Sequence, residues 1–380
     1  MGLVGTILSY FGLGVSYIAP FLFVLGLVVI VHELGHFIVG RLCGVGVEAF
    51  SFGMGPEVLG YTDRRGTRWR FSAMPIGGYV KFAGDSNIAS APEGAASAAV
   101  YAESHKVGLQ GQPVARRAAI VAAGPIASFI LGILIFSFLA YFFGIAYRPP
   151  RIETVAADSP AYRAGFLKSD IVRSIDGKNI YNFSEIIEAV AARPNEAMTF
   201  IVERDGAEFT LQATPALVSV DTPIGPQRLG QLGMAASSDP NDFRTIYPTV
   251  PGAFREGLAQ TWKLVSATGE YLARVVVGRA STDQLSGPIR IAQISSAISL
   301  LGFAALLNLA AILSISLGLM NFLPVPMLDG GHLVFYAIEA ATGRQVNKRA
   351  QEYSLRVGLT LIAALTIFVT FNDIWRLLRA

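Results

Sequence analysis

YIAPFLFVLGLVVIVHELGHFIVG, residues 17–40, is an apolar run whose one polar island is His32-Glu33-Leu34-Gly35-His36, and Glu33 is the first charged side chain in the chain. A run of this length forms a helix long enough to cross the hydrocarbon core of a bilayer. On a helix, residues four apart share a face, so His32 and His36 present two imidazoles to one metal ion while Glu33 reaches the water that such an ion activates. H-E-x-x-H is the ligand and base pattern of zinc hydrolysis. A lone histidine on an apolar helix reads more simply as a hydrogen-bonded core residue. A glutamate between two histidines does not, because each charge near the bilayer centre costs roughly 2.5–3.5 kcal/mol and is retained only for a purpose.

Composition points the same way. Hydrophobic residues make up 52% of the 380 residues and charged ones 15%, with a mean hydropathy of +0.49. An ordinary soluble enzyme carries about 25% charged residues. The net charge of +3 is small and the basic residues are scattered, which excludes nucleic acid as a partner. The single cysteine, Cys43, excludes an intrachain disulfide framework and reads as a small buried thiol. Residues 1–31 hold no charge, no basic n-region and no A-x-A site, so an uncleaved span is expected. Arg41, Arg64, Arg65, Arg68, Arg70, Lys81, Lys106, Arg116 and Arg117 crowd the connection to the next apolar run. The positive-inside rule makes that connection cytoplasmic and puts the N-terminus outside.

Within the connection, residues 51–56 (SFGMGP) read as a turn, and residues 68–82 as a membrane-associated β-hairpin turning at Pro75-Ile76-Gly77-Gly78. Such a strand beside an active-site helix offers an edge to an unwound peptide. Residues 85–112, with His105, read as a connector. A second span is expected over about 118–146, with a kink or close helix contact at Gly124-Pro125. After Arg148-Pro149-Pro150 the pattern is that of a soluble module: Ser159-Pro-Ala-Tyr-Arg-Ala-Gly165, Asp170-Ile-Val-Arg-Ser-Ile-Asp-Gly177, a helix over 183–191 and alternation over 199–206. It resembles a bacterial PDZ domain, expected over 148–215, a fold that captures chain ends or extended peptides. Residues 216–290 read as a linker, 216–245, and an amphipathic helix carrying Phe254, Leu258, Trp262 and Val265.

The C-terminal membrane part, 291–380, is expected to hold spans at about 300–323 and 353–376. After Arg290 no charge appears until Asp329, and this apolar run is interrupted at Asn321-Phe-Leu-Pro-Val-Pro-Met-Leu-Asp-Gly-Gly-His332. Irregular backbone at membrane depth must line a cavity or be buried in protein. Catalytic zinc takes three protein ligands plus water, and spacing leaves Asp329 and His332 both open as the third.

Taken together, H-E-L-G-H, the A-G-P of the second span, the PDZ-like module and N-x-x-P-V-P-x-L-D-G-G resemble the bacterial site-2 proteases, intramembrane zinc metalloproteases of the sigma-E-regulating type. The resemblance implies a polytopic α-helical protein of about four transmembrane helices in the bacterial inner membrane. It also implies a cytoplasmic-side β-hairpin, one inserted extracytoplasmic PDZ domain and an active site toward the cytoplasm. His32, His36 and Asp329 would bind Zn2+, Glu33 would be the general base, and Asn321 would hold substrate or polarise its carbonyl. Met74, Pro75, Ile76, Gly77, Gly78 and Tyr79 would contact substrate, and His332 would be structural or support a ligand. Single-span membrane proteins, already cut by an upstream protease, would be the substrates. Two departures stand out: the family's G-P-x-x-N reads Gly124-Pro-Ile-Ala-Ser128, and one PDZ-like module is found where some relatives carry two. A PDZ-bearing scaffold or sensor, or a metal transporter, would account for the spans, but neither needs Glu33.

Overall fold

A computed structural model describes residues 3–83, 108–222, 225–237, 239, 242–277 and 288–379. The helices in chain order are α1 (Leu3–Leu42), α2 (Val114–Phe143), α3 (Pro160–Arg163), α4 (Phe183–Ala191), α5 (Val250–Val276), α6 (Pro288–Ser299), α7 (Phe303–Phe322), α8 (Asp329–Thr342) and α9 (Lys348–Arg379). The chain divides into two compact units: Met1–Leu139 with Gly252–Glu270 and Leu285–Ala380, and Ala140–Pro251 with Tyr271–Gln284.

Among the described residues, three helices are long and apolar enough to cross a membrane, over Ile18–Leu42, Val114–Phe143 and Phe303–Phe322. The expected fourth span falls within α9. Apolar side chains cover these helices on all sides, the pattern of a helix with lipid rather than water outside. On α2, Ile126, Ile130, Leu134 and Phe138 form an exposed stripe, while Ile120, Ala123 and Ile135 are buried. Lipid-bounded helices associate through small residues that let backbones approach. Gly124, Ser128 and Gly132 recur at intervals of four and supply that face on α2. A Cβ on Gly132 would strike Ile315 of α7, and one on Gly318 of α7 would come within 3.1 Å of Ser128 Cβ. Val24 and Val28 of α1, Ile135 of α2, and Leu306, Leu309, Ala310 and Ala311 of α7 close the core.

Between α1 and α2 lies a long two-stranded element, β1 (Val47–Thr62) and β2 (Arg68–Phe82). Here the structure corrects the sequence reading: the reversal is at 63–67, so residues 68–82 are one arm of a hairpin rather than a whole one. Both arms bend. Phe50 is matched with Val80 on one side and Trp69 on the other, and Tyr61 is also matched with Trp69. The order across the sheet is therefore 57–62, 68–72, 49–52, 78–82. The bends fall at Gly53 and Gly55, with φ of +88° and +89°, and at Gly77, with φ of +81°. So the SFGMGP and Pro-Ile-Gly-Gly stretches, expected as turns, are bends inside strands. Asp63 fixes the true reversal by accepting from the backbone N–H groups of Arg65 (2.8 Å) and Thr67 (2.9 Å), and Arg41, at the end of α1, donates to it at 3.1 Å. Most of the connector expected over 85–112, including His105, lies outside the described residues; Leu109–Gly111 form a single 3-10 turn.

The second unit is built on a four-stranded antiparallel sheet, in the order β6 (Lys178–Asn179), β5 (Ile171–Ile175), β7 (Met198–Arg204), β8 (Ala207–Ala213). Asp205-Gly206, with φ of +49° and +83°, makes the tight β7–β8 turn. Helix α4 spans the predicted 183–191, capped by Asn182 accepting from the Glu185 N–H at 3.0 Å. Phe166, Phe200, Ile152, Ile186 and Val202 fill the core. Asp170 is wholly buried and paired with Arg204 at 2.7 Å. The unit does not end at residue 215. β9 (Ala216–Thr222) and β10 (Gly225–Gln231) form a hairpin, Leu232 enters the core, and β11 (Met234–Ala235) pairs with β4 (Thr154–Val155). Finally β12 (Arg244–Ile246) pairs with β3 (Ile145–Tyr147), joining the two ends of the insertion. The sequence missed these strands because 216–235 carry Gly and Pro among polar residues, with little alternation. On α5 the buried face is Ala253 and Thr261, while Phe254, Leu258 and Trp262 are exposed.

Candidate metal centre

His32 and His36 sit one turn apart on α1, at 6% and 9% exposure. Their rings are turned so that the two Nε2 atoms approach to 3.3 Å. The other nitrogen of each ring is occupied. His36 Nδ1 lies 2.9 Å from the Ile120 carbonyl, which can only accept, so Nδ1 carries the proton and Nε2 offers a lone pair. His32 Nδ1 lies 3.0 Å from Ser128 Oγ. Both partners belong to α2.

Asp329, the first residue of α8, completes the group: its Oδ2 is 3.3 Å from His32 Nε2 and 3.5 Å from His36 Nε2. Among the described residues Oδ2 is buried and faces the two imidazoles with no hydrogen bond made to it. Among the described residues, His32, His36 and Asp329 bring one donor atom each within 4.8 Å of one another. A tetrahedral zinc ion bonded at its usual lengths holds its ligand atoms about 3.3–3.5 Å apart, so the three separations fit that ion without rearrangement.

Close backbone approaches make this convergence possible. A Cβ on Gly35 would strike the Ala123 carbonyl and come within 2.7 Å of Ala127 Cβ, so the glycine inside the motif lets α1 lie directly on α2. A Cβ on Gly124 would occupy the space of the His36 ring. Gly330 and Gly331 pack against carbonyls of Phe322, Leu323 and Val325, and Gly358 of α9 packs against Pro326, clamping the irregular 323–328 segment that aims Asp329. Arg117 of α2, 4% exposed, binds Glu339 of α8 at 2.5 Å and lies over the Tyr336 ring. That ion pair ties the helix bearing Asp329 to α2, whose Ile120 carbonyl and Ser128 hydroxyl meet the two imidazoles of α1.

Other residues singled out from the sequence take distinct places. Glu33 stands outside the converging donors, beside β2: a Cβ on Gly78 would lie 2.9 Å from Val29 Cγ1 and 3.1 Å from Glu33 Cγ. Thus the strand holding Met74, Gly77, Gly78 and Tyr79 runs past the motif, with exposed Met74 at its bend. Pro75 and Ile76 share that strand. Asn321 turns its amide onto its own helix, donating to the Leu317 carbonyl at 3.0 Å. His332 is not among the three donors and sets its ring edge-on to Phe335. Cys43 is also apart, packed with Val45, Val47 and Phe82. Ser128, which the sequence marked only as a departure from the family's asparagine, is the partner of His32, a contact the sequence reading did not foresee.

Known proteins share this arrangement of chain. The family profile of Peptidase family M50 matches residues 20–365. A Rhizobium meliloti protein assigned as a zinc metalloprotease is 45% identical over 94% of this chain and 96% of its own. One from Agrobacterium fabrum, assigned likewise, is 43% identical over 97% and 98%. Metalloprotease MmpA of Caulobacter vibrioides is 37% identical over 93% and 94%. Among solved structures, the PDZ domain of an SdrC-like protein from Listeria monocytogenes aligns with 24% of this chain and 90% of its own, at 16% identity and a TM-score of 0.19. With a profile match running from the first span to the last helix, the chain belongs to Peptidase family M50, and it is a multi-pass membrane zinc metalloprotease.

Proposed function

We propose that this protein cleaves the transmembrane segments of single-span membrane proteins, as the second cut of regulated intramembrane proteolysis, on substrates such as an anti-sigma factor or a remnant signal peptide. The observation that carries the reading is the convergence of His32 and His36, on an apolar helix, with Asp329, beside a glutamate and a bent strand. In this reading the three donors hold zinc. When bound, zinc supplies Lewis acidity that polarises a carbonyl and acidifies water. Glu33 takes the proton from the attacking water and passes it to the leaving amine.

A transmembrane helix hides its carbonyls in its own hydrogen bonds, so it must unwind locally before it can be cut. The segment 78–82 is one of the two edges of the bent sheet, the one that passes Glu33, which supports pairing of an unwound substrate along it. Asn321, at the end of α7, then holds the substrate backbone. The basic connection between α1 and α2 supports a cytoplasmic-facing site in the bacterial inner membrane, with the PDZ-like unit on the other side and α9 as a fourth span. That unit screens substrates, admitting those trimmed by an upstream protease.

Purified full-length protein in liposomes, supplied with a model single-span substrate, tests the assignment. Glu33→Gln is expected to keep about one zinc per chain and lose cleavage, whereas Asp329→Ala loses zinc as well. Full activity of Glu33→Gln would overturn the reading.

A further inference from the structure

The two imidazoles are held in different ways. His36 is oriented by a backbone carbonyl, which no side-chain substitution removes; His32 is oriented by a hydroxyl, which one substitution does. Ser128 is 0% exposed, so position 128 faces no substrate. Its backbone is fixed from the far side, where Ser314 Oγ of α7 donates to the Ser128 carbonyl at 2.8 Å. If Nε2 of His32 gives its lone pair to an ion held with Asp329 and His36, Nδ1 carries the proton and Ser128 Oγ accepts it.

We propose that Ser128 is a positioning residue of the metal centre: its buried hydroxyl fixes the tautomer and ring plane of His32, so that Nε2 points at the ion. The inference rests on reading His32 as a zinc ligand. Hydrogen-bond partners of ligating histidines typically contribute 10- to 100-fold to metal affinity or activity. A purely spatial account of the same residue is available, since Ser128 belongs to the small-residue stripe between Gly124 and Gly132. The two accounts part at alanine, which is as small as serine but accepts no hydrogen bond.

The experiment is zinc affinity, measured by chelator competition on the full-length protein in detergent, with the visible absorption of the cobalt-substituted protein as a second readout. Ser128→Ala and Ser128→Cys, the latter filling serine's space with a poor acceptor, are both expected to weaken zinc binding about 10- to 100-fold and shift the cobalt bands. Ser314→Ala, which loosens the same helix contact without touching His32, is expected to stay within about twofold of the parent. Parental affinity in Ser128→Ala, parental affinity in Ser128→Cys, or equal weakening in Ser314→Ala would each overturn the proposal. His32→Ala separates the two levels: if it binds zinc normally, the ligand reading itself fails; if it loses zinc while Ser128→Ala does not, only the positioning role fails.

Discussion

Gly124 and Gly269 are both helical glycines, and the same substitution has opposite outcomes at the two. At Gly124 the added methyl meets the His36 ring, while at Gly269 nothing lies within 4 Å. Gly124→Ala is expected to destabilise by about 1–3 kcal/mol through overpacking and, on the proposed reading of His36 as a ligand, to lower zinc content. Gly269→Ala is expected to gain up to about 1 kcal/mol from helix propensity. Thermal unfolding together with bound zinc checks both. At this scale the sequence was legible where chemistry depends on local spacing: His32, Glu33 and His36 are fixed by the helical repeat alone. Asp329 and His332, three residues apart, were not separable, because which one reaches the imidazoles depends on how 323–328 is clamped by glycines elsewhere in the chain. Ser128 was less legible still, since its role exists only once α1 and α2 are laid side by side.

The bent hairpin is the element with the most exposed chemistry. Asp63 is drawn toward burial, which would raise its pKa, but the N–H groups of Thr67, Trp69 and Arg65 and the charge of Arg41 more than offset this and hold it below the usual carboxylate range. A carboxylate with a depressed folded pKa stabilises fully above its unfolded value of about 3.9, and the contribution is lost as pH falls through the folded value. Acid below about pH 3.9 is therefore expected to loosen the hairpin from α1, with Trp69 fluorescence as the reporter; in Asp63→Asn the step in that range should vanish. Gly78→Ala tests the other end. Its methyl would push β2 from Val29 and Glu33, so turnover is expected to fall at least tenfold with zinc content unchanged, the order expected when reacting groups shift by a fraction of an ångström. Undiminished turnover would show that β2 is only scaffolding. The sequence showed a hairpin here but placed both of its arms within 68–82 and took part of β1, residues 51–56, for a turn. Asp63-Arg-Arg-Gly-Thr67 and Pro75-Ile-Gly-Gly78 are equally turn-like, and only pairing with β1 decides which one reverses the chain.

For the molecule as a whole, the pairing of β3 with β12 makes the second unit an insertion whose two ends meet. Replacing residues 148–243 by an Asn-Gly turn should therefore leave the membrane unit folded and zinc-loaded. If the inserted unit screens by size, the shortened protein is expected to cleave a substrate with a long ectodomain that the parent leaves intact; loss of cleavage on a trimmed substrate would assign recruitment instead. The sequence showed the inserted unit but ended it too early, because β11 and β12 are two and three residues long and are recognisable only by their partners.

The same insertion separates Asp329 from His32 and His36 in time as well as in sequence. At translation rates of about 5–20 residues per second, α1 is made roughly fifteen seconds to a minute before α8. Through that interval the emerging chain carries two imidazoles and a glutamate without the carboxylate that completes the group. On the proposed reading, a truncated or stalled product ending before Asp329 lacks the full ligand set and is expected to be inactive until the last part of the chain is in place.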